Sequence, residues 1–532
     1  MAARRSTNSS EDGRATGLER RWWTLIAVCG ATFMLLVDIT IVQVALPTMQ
    51  RQLHASFTEL QWVISAYAVS LSALILTQGS LADRFGRKRI FMAGLFTFTV
   101  ASLACALSRT ATELITARAV QGVGGAAMFA TSLALIGQEF HGTQRSTAIA
   151  AWGATVGGAV AIGPLVGGAL TSGLGWPWIF YVNVPVGALT LAVSARRMVN
   201  VGDPNVTRLD WPGLVTFSGG LFLLVLALTR GNDDGWSSRV VLSYLASAGV
   251  LLVAFVIVEM RQTRPMFDLS LFRKPSFTGV SFATFGIGAG MFALLPYLTL
   301  YLQNDLGLSA FQGGLRLLPL TLLSFFVPLA SRPLTERIPP GMALSVGLLV
   351  SAGGLFLFYG LTVTSTWTAL LPGLVLGGVG IGLANPAIAK IALGVVPPQR
   401  SGMASGISNT FRIGGVATGV AALGAVFQQR LEADLRSSVG HAAPLLARAV
   451  AAGGTHAAVA ASNGRVAVAN AARHAFVTGI NDLVLVGAVT VFVGALFAGL
   501  VRRKDFFSRR RATGRPTMLE AADPGLLPEA VG

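Results

Sequence analysis

The chain has 532 residues, of which 53% are hydrophobic and only 12% are charged. Soluble domains carry about 25% charged residues, so this composition excludes an ordinary soluble protein and indicates a polytopic membrane protein. The net charge of +17 does not require a nucleic-acid partner, because most Lys and Arg residues fall in loops that the positive-inside rule assigns to the cytoplasm. We therefore expect the lipid bilayer as a partner and no nucleic acid.

Apolar runs predict fourteen membrane helices and hence an all-α fold. The predicted helices cover residues 23–47, 58–79, 90–107, 112–138, 146–171, 179–199, 211–229, 240–260, 277–301, 310–331, 342–361, 367–393, 401–428 and 477–501. An even number of spans puts both termini on one side, and basic residues at 20–21 and 502–504 place that side in the cytoplasm. We expect residues 1–21 and 502–532 to be cytoplasmic tails. The first run is too long for a cleaved leader and is interpreted as a retained helix.

A strongly basic loop, residues 79–89, separates predicted helices 2 and 3 and reads GSLADRFGRKR. A charged turn between two spans must face water, and its cations select the cytoplasmic side. We expect Gly79 to permit a close helix approach and Asp83 with the basic cluster to make and break charge contacts as neighbouring helices move. The predicted conformational-switch residues are Gly79, Asp83, Arg84, Gly86, Arg87 and Lys88.

A weaker copy of this loop follows predicted helix 10. Residues 334–338 read LTERI, where residues 81–85 read LADRF. The copy lies at the equivalent position of a second half, as parallel repeats require. This pattern predicts a six-helix bundle over 22–199, an inserted helix pair over 209–260, and a second six-helix bundle over 276–501. The second bundle is expected to contain a long outside loop over 429–476.

Asp38 is the acid that lies deepest within a predicted span. It is nine residues from the outer end of predicted helix 1, which corresponds to a depth of roughly 14 Å at 1.5 Å per residue. Intramembrane acids are costly and usually mark proton or substrate pathways. Arg118 in predicted helix 4 lies roughly 9 Å deep, so its side chain can reach Asp38. The sequence therefore predicts a proton-coupling pair, Asp38 and Arg118, although a structural ion pair would have the same pattern.

Predicted helix 5 is rich in glycine and has a proline in its interior. Glycines four residues apart stack on one helix face and let another helix approach closely, while proline bends the helix. Tight packing alone would explain this spacing equally well. The residues concerned are Gly153, Gly157, Gly163, Pro164, Gly167 and Gly168.

Further polar residues within or beside the spans are candidates for contacting a substrate. They are Gln43, Gln121, Asn183, Arg316 and Arg412. We find no phosphate-binding loop of the Gly-x-x-x-x-Gly-Lys-[Ser/Thr] type, no Ser-His-Asp arrangement and no intramembrane metal cluster. We therefore expect a protein that is not an enzyme and needs no metal or cofactor.

Four motifs together resemble the major facilitator superfamily, and in particular its fourteen-helix drug:proton antiporter subfamily. They are the stretch around Asp38, the loop 79–89, the Arg-x-x-Gln-Gly of 118–122 and the Gly-Pro-x-x-Gly-Gly of 163–168. Residues 178–185, WIFYVNVP, are also similar to that subfamily, although Pro177 replaces an arginine that relatives often carry. The resemblance implies two six-helix bundles plus two inserted helices, with helix 4 associated with proton transfer and helix 5 typical of exporters.

These observations predict a proton-driven exporter of small amphipathic compounds, plausibly antibiotics, in the bacterial plasma membrane. We expect a monomer that takes its energy from the proton gradient, with a midplane cavity lined by aromatic residues such as Phe33, Phe285 and Phe292. The absence of further membrane acids in the second half makes neutral, zwitterionic or weakly anionic cargo easier to accommodate than dications. Two alternatives stay open: a dedicated exporter of a metabolite, siderophore or lipid precursor, and a non-transporting sensor or scaffold.

Overall fold

The computed structural model is helical throughout the part of the chain that it describes, and it contains no strand there. The described residues are 20–140, 142–200, 210–262, 267–335, 337–396, 401–440, 443–444, 446–451, 466–502 and 505–506. Most of the predicted tails, residues 1–19, 503–504 and 507–532, lie outside them, as does Glu336 of the weaker loop copy.

The first half consists of six helices. They are α1 (Arg20–Leu53), α2 (Phe57–Phe85), α3 (Arg87–Leu107), α4 (Ala111–Glu139), α5 (Gly142–Gly173) and α6 (Trp178–Arg197). Two helices follow before the second half, α7 (Trp211–Asp234) and α8 (Arg239–Arg261). The second half consists of α9 (Pro275–Asp305), α10 (Ala310–Ala330), α11 (Pro340–Phe356), α12 (Trp367–Gly394), α13 (Ser401–Val439) and α14 (Val466–Ala498).

Within the described residues, thirteen of these helices are long and apolar enough to cross a membrane. The remaining one, α11, has 17 residues, which gives a length of about 26 Å at 1.5 Å per residue against a hydrocarbon core of about 30 Å. Residues 357–360 continue it as a turn, and this adds the missing length. The all-α fold with two six-helix bundles and a central pair agrees with the sequence prediction.

The helices on both sides of the predicted outside loop are longer than hydropathy indicated. α13 continues to Val439 and α14 begins at Val466, so much of the predicted loop 429–476 is helical. Hydropathy marks where lipid ends, but helical hydrogen bonding can continue into water when charged pairs support it. Arg430 Nε lies 3.6 Å from Asp434 Oδ1 of the same helix and 3.0 Å from Asp482 Oδ2, and the second pair ties the extension of α13 to α14.

The two halves are joined at the ends of the helices that the sequence places outside. Gln61 Nε2 in α2 donates to Tyr297 Oη and to the Val420 carbonyl, both at 3.1 Å. Gln303 Nε2 in α9 donates to the Val44 carbonyl of α1 at 2.8 Å. These bonds connect α2 and α1 of the first half with α9 and α13 of the second. The conformation is therefore closed at its predicted outer end.

The predicted basic loop 79–89 is helical except at Gly86, because α2 continues to Phe85 and α3 begins at Arg87. The start of α3 packs against the end of α6. Lys88 Nζ donates to the carbonyls of Ala195 at 2.8 Å and Met198 at 2.9 Å. Gly86 has φ of +101°, and a Cβ there would collide with the Asn200 side chain, so the tight turn requires glycine.

Other residues of this loop depart from the prediction or lie beyond what is described. A Cβ on Gly79 would meet nothing within 4 Å, so the predicted close approach at Gly79 is wrong for this conformation. Arg84 is exposed with its guanidinium 5.0 Å from the centre of the Phe85 ring, and Arg87 donates to the Ala134 carbonyl at 3.2 Å. The Asp83 side chain lies outside the described part.

Candidate functional site

Asp38 lies in the middle of α1 and its side chain is completely buried. Arg118 Nη1 of α4 forms an ion pair with Asp38 Oδ2. The other carboxylate oxygen, Oδ1, accepts hydrogen bonds from Gln121 Nε2 at 2.9 Å and from Asn183 Nδ2 at 3.1 Å. The sequence-predicted pair is thus in contact, and Gln121 and Asn183, two of the candidates for contacting substrate, donate hydrogen bonds to this carboxylate.

Arg118 is held from several sides at once. Its Nε donates to the Val63 carbonyl of α2 at 3.2 Å, and its Nη1 also donates to Gln121 Oε1 at 2.7 Å. The guanidinium lies 4.1 Å from the centre of the Tyr67 ring, within the range of a cation–π interaction. A planar guanidinium with five donors can make these contacts together, whereas a lysine ammonium cannot.

Ser102 of α3 is a further member of the cluster. Its Oγ accepts from Asn183 Nδ2 at 2.9 Å and from Gln121 Nε2 at 3.3 Å, and it donates to the Phe180 carbonyl at 3.1 Å. Sequence reasoning missed Ser102 and Tyr67 because it considered mainly charged residues and named motifs. The available signal was a polar side chain in the interior of an apolar run.

The charge of Asp38 is balanced within this cluster. Both oxygens of Asp38 have donors, and one of those donors carries the compensating positive charge. Breaking a buried ion pair by removing one partner typically costs about 3–5 kcal/mol, because the other charge is left uncompensated. Loss of the charge of Asp38 would therefore leave Arg118 without its counter-charge.

A central cavity lies between the halves, with about 390 Å³ of empty space that includes the space at its opening. It is lined by polar residues of α1, Thr40 and Gln43, and by residues of α5, α9, α10 and α12 that include Pro164 and Phe292. Phe33 and Phe285 are not among the residues that line it. Because successive helix residues are 100° apart, Thr40 and Gln43 point away from Asp38. α1 therefore stands between the buried carboxylate and the cavity.

The α5 glycines contact two different helices. A Cβ on Gly163 would collide with Thr40 of α1, and one on Gly167 would lie 2.7 Å from Ile41 Cγ1. A Cβ on Gly168 would lie 2.6 Å from the Ala310 carbonyl oxygen of α10. These glycines let α5 pack closely on α1 of its own half and on α10 of the other half.

Two further α5 glycines differ in their surroundings. A Cβ on Gly157 would lie 2.8 Å from the Phe325 ring of α10, but one on Gly153 would meet nothing within 4 Å. Gly153 thus does not belong to either contact, and the predicted single glycine face divides into one facing α1 and one facing α10.

Arg316 and Arg412 of the second half lie apart from the Asp38 cluster. The Arg316 guanidinium lies 5.3 Å from the centre of the Trp367 ring, and its Nη1 donates to the Gln312 carbonyl at 3.1 Å. Arg412 Nη2 donates to Asn409 Oδ1 at 2.9 Å. Neither is among the residues that line the 390 Å³ cavity.

Comparison with known proteins agrees with this architecture. The model of the Major Facilitator Superfamily matches residues 28–420. The chain is 33% identical over 428 residues to the tetracenomycin C resistance and export protein of Streptomyces glaucescens, covering 78% of each chain. It is 34% identical over 422 residues to the multidrug resistance protein Stp of Mycobacterium tuberculosis (strain CDC 1551 / Oshkosh), covering 79% of this chain and 78% of Stp.

A solved structure shows the same fold. A bacterial homologue of the human lysosomal transporter Spinster, in an inward-facing and occupied conformation, matches with a TM-score of 0.60 at 17% identity, covering 93% of this chain and 100% of the other. The family match, the drug-resistance relatives and the bundle of apolar helices lead to one conclusion. This chain is a multi-pass membrane protein that belongs to the Major Facilitator Superfamily.

Proposed function

We propose that this protein is a proton-coupled antiporter that exports small amphipathic compounds, drugs or antibiotics among them, across the bacterial plasma membrane. The observation that carries the proposal is the fully buried Asp38 carboxylate with its Arg118 counter-charge at the centre of the first half. Such acids are typical of proton relays. The drug-resistance names of two relatives support the choice of substrate class.

Protonation of Asp38 is the chemical step in this proposal. A neutral carboxyl no longer balances Arg118, so the guanidinium and Gln121 must change partners. Asp38 lies on one face of α1 while Thr40 and Gln43 face the cavity, so a shift of α1 changes both sites together. This arrangement couples the charge of Asp38 to the shape of the substrate cavity.

The transport cycle follows from alternating access of the two halves. In the conformation closed at the outer end, Asp38 is ionised and the cavity takes substrate from the cytoplasm. After the halves rock, Asp38 receives a proton from outside as substrate leaves. The return movement carries the proton inward, where its release restores the ion pair with Arg118. We propose that one monomer with both termini in the cytoplasm performs this cycle.

Sealed inside-out vesicles provide the test. Respiration acidifies their interior, a pH dye reports the gradient, and puromycin, chloramphenicol, ethidium and norfloxacin are added in turn. We expect at least one compound to trigger proton efflux with the wild type and none to do so with Asp38→Asn. Asp482→Asn is a matched control, since Asp482 also pairs with an arginine in a membrane helix but is 33% exposed; it should respond like the wild type.

The outcomes separate the alternatives. Proton efflux that persists in Asp38→Asn would place the coupling group elsewhere and contradict the proposed role of Asp38. Responses to several compounds would support a broad drug exporter. No response to any compound in vesicles with folded wild-type protein would favour a dedicated exporter with a single cargo.

A further inference from the structure

A cationic side chain of the second half lies deep in the membrane region without an acid partner. Arg412 is eleven residues from the start of α13 at Ser401, which corresponds to about 16 Å along the helix. Its described hydrogen bond is to the neutral side chain of Asn409. Among the residues that the structure describes, Arg412 has no ion pair with an aspartate or glutamate. Unpaired charges at this depth usually face a cavity or a pathway.

The position of Arg412 on α13 shows which space it faces. One face of α13, here called the inner stripe, is formed by Ser405, Asn409, Arg412 and Val416, and each of these is partly exposed. The same face continues to the buried Val420, whose carbonyl accepts hydrogen bonds from Gln61 of α2 and Tyr297 of α9. The inner stripe therefore faces the seam between the two halves, on the cytoplasmic side of the contact that closes the outer end.

Asn409 fixes the orientation of the guanidinium. Its Nδ2 donates to the Ser405 carbonyl at 2.9 Å, so its Oδ1 is directed to Arg412 Nη2 at 2.9 Å. An arginine has five N–H donors, and this bond uses one of them. No nitrogen of Arg412 is among the described buried polar atoms that lack a partner. Because the Arg412 side chain is partly exposed, its remaining donors are accessible to a further acceptor.

The buried acid of the first half already has its own partners. Both oxygens of Asp38 are engaged by Arg118, Gln121 and Asn183, so Asp38 does not serve as a counter-ion for Arg412. The seam between the halves consequently has an uncompensated positive charge on its second-half side.

We propose that Arg412, oriented by Asn409, binds the carboxylate of an anionic or zwitterionic amphipathic substrate. This inference rests on the proposed export function and names the substrate class. Guanidinium and carboxylate form a planar, bidentate, charge-assisted pair, which is stronger than a neutral hydrogen bond. The apolar body of the substrate would extend along the seam toward Phe292 and the central cavity.

Equilibrium binding to the purified protein in detergent tests this inference. Three acids, dansylglycine, nalidixic acid and ibuprofen, are compared with their methyl esters by ligand-dependent thermal stabilisation, which yields a Kd for each. We expect the wild type to bind at least one acid about tenfold more tightly than its ester, as a charged hydrogen bond implies. Arg412→Gln should reduce that preference to less than about twofold while the ester Kd stays unchanged.

Two further variants complete the design. Arg412→Lys keeps the charge but loses the planar fork, so an intermediate preference is expected. Lys390→Gln removes an exposed cation at the inner end of α12 and should keep the full preference. Failure of every acid to bind the wild type, equal binding of acids and esters, or a preference that survives Arg412→Gln would overturn the inference. Because binding needs no proton gradient, these results are independent of whether Asp38 couples transport to protons.

Discussion

The two halves of the molecule each contain an aspartate–arginine pair that joins two helices, and the pairs differ in burial. Asp38 and Arg118 of the first half are 0% and 2% exposed, while Asp482 and Arg430 of the second half are 33% and 45% exposed. Water screens the second pair, and exposed pairs contribute about 0–1 kcal/mol. The comparison teaches that a change of charge leaves an uncompensated partner only where the pair is buried, because water compensates the partner of an exposed pair.

The largest expected effect comes from removing one arginine of each pair. Arg118→Ala leaves Asp38 buried without a counter-charge, so we expect the free energy of unfolding to fall by about 3–5 kcal/mol and drug export to be lost. Arg430→Ala should cost about 1 kcal/mol or less. Thermal unfolding in detergent measures both. The double variant Asp38→Asn/Arg118→Ala should recover part of the lost free energy of unfolding, because neither charge is then left unpaired. If Arg118→Ala and Arg430→Ala lowered the free energy of unfolding equally, the distinction between the two pairs would be wrong.

A smaller effect is expected at the helix contacts that link α1, which carries Asp38, to the second half through α5. α1 packs on α5 at Gly163 and Gly167, and α5 packs on α10 at Gly168. A methyl group on Gly168 would press on the Ala310 backbone, and overpacking of this kind typically costs about 1–3 kcal/mol. We expect Gly168→Ala to weaken the contact between α5 and α10 and to reduce drug export by about tenfold or more. Export from cells, corrected for protein level, is the measurement.

The matched control for this substitution lies on the same helix. A Cβ on Gly158 would meet nothing within 4 Å, so Gly158→Ala should leave export unchanged and slightly stabilise α5. If both alanines reduced export equally, the effect would reflect the flexibility of α5 and not its contact with α10.

The smallest expected effect concerns a cation that is held by neutral groups. Lys88, in the first turn of α3, donates to two carbonyls at the end of α6, and it is partly exposed, so water can replace those bonds. We expect Lys88→Gln to lower the free energy of unfolding by about 1 kcal/mol and to leave proton coupling intact. Thermal unfolding together with the vesicle assay measures both quantities. Loss of coupling without loss of stability would show that the loop takes part in the charge changes of the Asp38 cluster.

The fold and the central ion pair were accessible from the sequence for clear physical reasons. Lipid imposes long apolar helices, and depth along two helices placed Arg118 within reach of Asp38. The rest of the cluster was not accessible, because Ser102 and Tyr67 are polar residues whose direction depends on which helices surround them. Arg316 is a similar case. Its guanidinium lies over the ring of Trp367, and the sequence does not show that these two helices bring the residues together.

Helix ends and glycine contacts were also beyond the sequence. Hydropathy placed the end of α13 at residue 428, but the helix continues to Val439 with support from the ion pairs of Arg430. The glycine spacing of α5 predicted close packing but could not name its partners. Only the structure divides these glycines between α1 and α10.

The central claim is that Asp38 couples proton movement to transport and is not merely a structural acid. Asp38→Asn cannot change its charge, so in proteoliposomes without a gradient its rate of exchange of radiolabelled substrate for unlabelled substrate should not depend on pH, whereas the wild-type rate should. The same variant should fail to accumulate substrate against its concentration gradient when a proton gradient is imposed. Exchange that no longer depends on pH, together with lost accumulation, is the predicted result; exchange with the pH dependence of the wild type, or retained accumulation, would contradict the account.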